Sequence, residues 1–204
     1  MPGKLNLLAG LRIGLLWVMV SALGGSIGFA LGFWAANTMP DFVGRTGLDT
    51  VRFGFFGSLV SVAQWLVLRT RIAKVGWWVL VSSLVWIGIG ALAYTLEQTI
   101  PFAFCPAVAG GVLGICQSLV LRRHGRWSGF WVVGSTVGWA LGWPVAGALD
   151  RVVAVVVTDE ILGFTVLYAM IAAVSGVFTG PALALLLGYS QRERLQRGER
   201  AASY

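Results

Sequence analysis

Gln64 and Gln117 are the residues in this chain whose type and placement could do chemistry. Each is a neutral amide inside an apolar run, and each stands five residues before an arginine, in Gln64-Trp65-Leu66-Val67-Leu68-Arg69 and Gln117-Ser118-Leu119-Val120-Leu121-Arg122. An amide donates and accepts hydrogen bonds but does not titrate near neutral pH, so its task is to hold something. Helix rise puts each amide about 7–8 Å from its arginine. In apolar surroundings it needs a partner, such as Ser61, Ser118 or the other amide. Interhelical bonding, ligand contact and contact with a partner subunit all fit this placement.

The other reactive side chains offer less. His124 is the single histidine and lies in Arg122-Arg123-His124-Gly125-Arg126, so one chain cannot assemble a His-rich metal or haem site. A Ser–His pair would have to draw on that loop. Neither a Gly-x-Ser-x-Gly elbow nor a His-Glu-x-x-His helix is expected. Cys105 and Cys116 fall eleven residues apart in one expected helix, about 16 Å along its axis, too far to bridge. They read as small hydrophobes. The chain is therefore expected not to be an enzyme, with no catalytic residue and no metal, and nothing in it names a cofactor. Trp86 and Trp139 sit deep in apolar runs, where an indole could stack on a pigment, a quinone or another flat ligand. Together with Gln64 and Gln117 they are the candidate ligand or partner contacts.

What must position these residues follows from composition. Of 204 residues, 57% are hydrophobic and 11% charged, against about 25% charged in soluble domains. The apolar residues come in runs long enough to cross a bilayer core, for which a helix needs about 17–25. The fold class is all-α integral membrane, a single domain over 1–190 with six transmembrane helices at about 13–36, 53–69, 75–96, 101–121, 127–149 and 162–188, then a basic tail over 191–204. Lys4 and Arg12 before Ile13–Ala22 imitate a signal peptide, but the apolar run continues to Ala36 and so reads as the first span. Pro106 is expected to kink or open the start of the fourth helix. The run Val152–Val157 is too short to span and is expected to lie at the interface or fold back on the bundle.

Net charge is +7, yet the basic residues cluster at the ends of apolar runs, which indicates membrane orientation rather than nucleic acid. The N-terminus, 69–74, 122–126 and the tail hold 12 of the 15 Lys and Arg, while 37–52, 97–100 and 150–160 hold six of the eight acids. The positive-inside bias then places both termini in the cytoplasm. Arg192, Arg194, Arg197 and Arg200 of the tail are suited to anionic lipid at that face.

The helices repeat in pairs. The first, third and fifth open on Trp17-Val18-Met19-Val20-Ser21, Trp78-Val79-Leu80-Val81-Ser82 and Trp131-Val132-Val133-Gly134-Ser135, with Gly24 and Gly28 following in one copy and Gly138 and Gly142 in another. The second, fourth and sixth carry Gly57, Ser61, Gln64; Gly110, Gly114, Gln117; and Gly176, Gly180, Leu183. Offsets of 0, 4 and 7 keep each trio within about 60° on a helix. Such stripes of small residues let helices approach closely in lipid. Three tandem hairpins result, with Leu183 standing where the first two copies have Gln. Trp34, Trp65, Trp77, Trp78, Trp127, Trp131 and Trp143 lie near helix ends, where an aromatic belt accounts for most of them.

Gln64–Arg69, Gly76-Trp77-Trp78-Val79-Leu80 and Trp139-Ala140-Leu141-Gly142 resemble a loosely defined group of uncharacterised bacterial polytopic proteins of the cyanobacterial type, over roughly residues 54–147. The resemblance implies an integral membrane location, in a bacterial inner or thylakoid-type membrane, and no particular activity. Two functions are expected from the residues: an accessory or assembly subunit of a larger membrane complex, partnered by other membrane subunits, or a small-molecule binding or transport protein. The second resembles, in size and span count, the substrate-binding membrane subunits of vitamin-uptake transporters. Its ligand would enter from the outer face near Pro106 and Pro144.

Overall fold

The computed structural model describes the backbone of residues 2–72, 75–101, 104–122 and 128–202, and their side chains except those of 2–7, 41, 128 and 189–202. Lys74, Arg123, His124, Arg126 and Trp127 lie outside the described residues, as do the side chains of Lys4 and of the tail arginines. Six α-helices follow in order: α1 (Pro2–Asn37), α2 (Gly44–Leu68), α3 (Trp77–Thr99), α4 (Cys105–Leu121), α5 (Ser128–Val156) and α6 (Glu160–Ala202), with a short 3-10 turn, Asp41–Val43, before α2. Five are long and apolar enough to cross a membrane, and α4 is a shorter apolar helix of 17 residues. The described surface is largely hydrocarbon: Leu15, Leu84 and Leu119 are each more than half exposed.

Several boundaries differ from the sequence expectation, each for a local reason. Helix α2 begins at Gly44, not near 53. Gly44 takes φ +67°, a left-handed turn that glycine adopts freely, and the helix then gains ion pairs from Arg45 to Asp49 and from Asp49 to Arg52 at helical spacing. Arg52, read as a loop residue, therefore rides on a helix. Helix α5 does not stop near 149. Val152–Val156 form its last turns rather than an interfacial segment folded back on the bundle, and Val155 and Val156 point outward, largely exposed. The break comes at Asp159, whose Oδ1 accepts the Leu162 N–H at 2.8 Å and caps α6. Pro106 falls in the first turn of α4, where its missing N–H has no helical partner to lose, so it starts the helix instead of kinking it. Prolines inside helices are Pro144 in α5 and Pro181 in α6. The backbone of 191–202 extends α6.

Each helix packs on its neighbours in chain order and α6 packs back on α1, closing a ring whose thinnest seam is α3–α4. Glycines set the other seams. A Cβ built on Gly24 would lie 2.8 Å from Leu59 O and Val60 Cα, and one on Gly28 2.8 Å from Phe56 Cα, so α1 and α2 touch backbone to backbone. Between α5 and α6, a Cβ on Gly138 would lie 2.8 Å from Ser175 Cα and one on Gly142 3.0 Å from Ile171 O. Gly110 and Gly114 do the same for α4 against Ser135, and Gly176 for α6 against Val18 of α1, while Gly180 is in ordinary contact with Gly14 of α1. Gly57 seats the Trp86 indole of α3, while its neighbour Ser61 turns its hydroxyl back to the Gly57 carbonyl. Gly32 against Arg52 O, Gly90 against Asp49 O and Gly134 against Phe178 O make equally close approaches outside the expected stripes. Dispersion across such contacts replaces the hydrophobic drive that lipid does not supply.

Candidate functional site

The axis of the ring is filled in layers. Near the end bearing Arg69 and Arg122, Trp17, Trp78 and Trp131 meet edge to face in a triangle, with centroids 6.1, 5.6 and 5.3 Å apart. All three are buried to within 1%. Trp78 and Trp131 are thus central, not members of an interfacial belt, whereas Trp34 and Trp77 are about two-thirds exposed, as a belt requires. Adjacent positions on a helix diverge by 100°, so Trp77 and Trp78 face opposite environments at the same depth.

The next layer is polar. Gln64 Nε2 donates to Ser21 Oγ at 3.0 Å, and Gln117 Nε2 to Ser82 Oγ at 2.9 Å. The indole of Trp131 donates to Gln117 Oε1, and that of Trp17 to Thr179 Oγ1, both at 2.9 Å. The Nε1 of Trp78 is buried without a partner. The sequence register set Leu183 beside Gln64 and Gln117; the hydrogen bonds put Thr179 there. Leu183 instead joins Leu68 and Leu121, each fully buried four residues beyond its polar neighbour. Thr179 belongs to no repeated motif in the sequence, and its hydroxyl also bonds back to Ser175 O, as an unremarkable helix threonine does. The matching Leu68, Leu121 and Leu183 were the signal that could have found it.

Gln64, Gln117, Trp86 and Trp139 do come together, around a cavity of about 10 Å³. That is close to the least space that admits one water. Gln117→Leu is expected to destabilise by about 1–2 kcal/mol, since it strips partners from both Ser82 and Trp131. Gln64→Leu, which breaks one bond, should have about half that effect. Denaturant titration in mixed micelles measures both, and equal effects would refute the network as drawn.

A third layer of Phe56, Trp86, Trp139 and Tyr168 separates this core from a larger space. Trp86 and Trp139 meet at 4.6 Å, and Phe56 lies edge-on to Trp86, Trp139 and Tyr168. Beyond it, at the end bearing Asp49 and Asp150, opens a vestibule of about 430 Å³ between α1, α2, α5 and α6. Phe29, Phe33, Phe53, Trp143, Phe164 and Tyr168 form its walls, and Asp49, Arg52 and Asp150 add polar groups. This volume falls within the usual range for small-molecule sites, about 300–1,000 Å³. Pro106 and α4 contribute nothing to the lining; the stretch of α5 on either side of Pro144 contributes Trp143, Ala146 and Gly147. No short motif marks the vestibule in the sequence, because its aromatic residues come from four helices.

The charges at this end are braced. Arg45 Nη2 donates to Glu97 Oε2 at 2.8 Å, tying α2 to α3, and its guanidinium lies over the Tyr94 ring. Asp49 sits between Arg45 and Arg52 at 3.6 and 3.5 Å. Arg52 lies over the Phe33 ring, 5.5 Å from its centroid, and its Nε is buried without a partner. Gly24-Gly25-Ser26-Ile27-Gly28 does match the spacing of a hydrolase nucleophile elbow, but it lies in mid-helix and its serine hydroxyl bonds to Leu23 O.

Long apolar helices, a hydrocarbon surface and a side-chain-filled axis define an α-helical membrane-protein bundle with an aromatic vestibule at one end. The chain matches no family model, no curated protein and no solved structure.

Proposed function

We propose that this chain is a non-catalytic integral membrane protein that binds a small amphipathic molecule in the vestibule between α1, α2, α5 and α6. The observation that carries this reading is the vestibule itself: about 430 Å³ of space walled by six aromatic rings, with a few polar groups at one end. Sites of this composition hold the apolar body of a ligand by contact area and orient it by its polar end. In this reading six helices span, as three hairpins around one axis. The paired Trp–Gln and Trp–Thr bonds support the three-fold arrangement, and the 17 residues of α4 cover about 26 Å. Both termini lie in the cytoplasm, so the vestibule faces outward, in a bacterial inner or thylakoid-type membrane.

The test is native mass spectrometry of the protein extracted from its own membrane, beside a Gly147→Phe variant. Gly147 lines the vestibule, and a Cβ there meets nothing within 4 Å, so the backbone accepts a bulky side chain at that wall. A small-molecule adduct on the parent chain that Gly147→Phe abolishes is the expected result. Absence of any adduct, with no thermal shift from added amphiphiles, overturns the reading. The thin α3–α4 seam favours a second one, an accessory subunit whose partner helix packs there; the same spectrum would then show a protein partner.

A further inference from the structure

We infer that the vestibule takes an amphipathic anion, whose carboxylate or phosphate group is held by Arg52 while its apolar body lies against Phe29, Phe33 and Tyr168. This rests on the binding reading above and adds the charge class of the ligand. Arg52 lines the vestibule on a helix that runs on toward the opposite end, where Arg69 stands 17 residues away. By helix rise the two arginines are about 26 Å apart, which leaves Arg52 near the edge of a hydrocarbon core about 30 Å thick. A permanent cation at that depth needs acceptors.

The acceptors present do not satisfy it. Asp49 meets Nη1 alone, at 3.5 Å, and is shared with Arg45. The buried Nε–H has no partner. Nε and Nη2 form the side edge of the guanidinium, the two-donor fork that matches a carboxylate or phosphate. The loose Asp49 contact, on a side chain one-third exposed, leaves the group room to turn that edge toward an incoming acid. Asp150 is the competing feature, since a carboxylate beside aromatic rings suits a cationic head group. Its side chain is exposed, where water already solvates it, whereas Arg52 carries a buried donor with nothing to meet. The Phe29–Tyr168 stack, with centroids 4.1 Å apart, offers a flat apolar wall in the same vestibule. The acid could reach the site as a free amphiphile or as a lipid head group.

The experiment uses the full chain in phosphatidylcholine nanodiscs, with laurate, dodecyltrimethylammonium or dodecyl maltoside added from water and, in a separate arm, phosphatidylglycerol in the disc. Thermal shift and native mass spectrometry read binding. Laurate binding identifies a free acid and phosphatidylglycerol adducts identify a lipid head group; either supports the inference. Arg52→Gln should weaken the anion by about ten- to hundredfold. Arg52→Lys, which keeps the charge but not the fork, should recover only part of the loss and controls for folding. Preference for dodecyltrimethylammonium, lost in Asp150→Asn, or binding of dodecyl maltoside equal to that of the anions, overturns the inference and leaves the binding reading standing. Failure of every probe to bind overturns both.

Discussion

Trp17→Ala is expected to destabilise the bundle by about 3–5 kcal/mol, the usual loss when a buried aromatic is truncated and its neighbours relax only in part. Trp17 is fully buried and touches both other rings of the triangle, 6.1 Å from Trp78 and 5.6 Å from Trp131. It also joins α1 to α6 through its bond to Thr179 Oγ1. Truncation therefore removes the ring contacts and the closure of the ring of helices together. Trp17→Phe separates the two: it keeps most of the aromatic packing and loses the indole donor, so a loss of about 0.6–1.7 kcal/mol is expected. Unfolding by SDS in mixed micelles, followed by far-ultraviolet circular dichroism, measures both variants. Equal losses for the two would show that the hydrogen bond, and not the ring packing, holds the triangle.

Gly24→Val should be nearly as damaging, and for the opposite reason. The first atom added at Gly24 lies 2.8 Å from Leu59 O and Val60 Cα, both backbone. Neither can swing aside, so α1 and α2 must separate along the seam. Overpacking of this kind costs about 1–3 kcal/mol, and more where nothing can yield. Gly88→Ala is the matched control, because a Cβ there meets nothing within 4 Å. It should be neutral, or stabilising by up to about 1 kcal/mol through helix propensity. Midpoint temperatures in detergent distinguish the pair. A Gly24→Val protein as stable as its parent would mean that the helices do not touch there.

The stripes of small residues are legible in the sequence, since Gly24, Gly28, Gly110, Gly114, Gly138, Gly142, Gly176 and Gly180 all lie at helix contacts. That spacing translates directly into a helix face. Gly32 and Gly134 continue the same four-residue spacing, after Gly28 and before Gly138, and are as legible as the rest; Gly90 is not, because Trp86 and Tyr94 stand four residues to either side of it. The ends of helices were read least well. A charged turn such as Arg45–Arg52 looks like a loop to composition, yet ion pairs at helical spacing extend α2 through it. The Val152–Val157 run looks too short to span and so like a separate interfacial segment, yet nothing interrupts α5 before Val156 and Asp159 caps its successor.

Gln64 and Gln117 show where the division falls. The sequence alone determined that two amides lie inside apolar helices and must find partners, because a polar group in hydrocarbon has no water to turn to. It also determined the helical class and the two differently charged ends, since both follow from composition along single segments. Only the tertiary structure decided that the amides bond to Ser21, Ser82 and Trp131 around a space of about 10 Å³. It alone decided, too, that Thr179 and not Leu183 is the residue joined to the third indole. The vestibule is likewise tertiary: its aromatic walls come from four helices that are distant in the chain, and helical phase, which no single segment reveals, turns them toward one another.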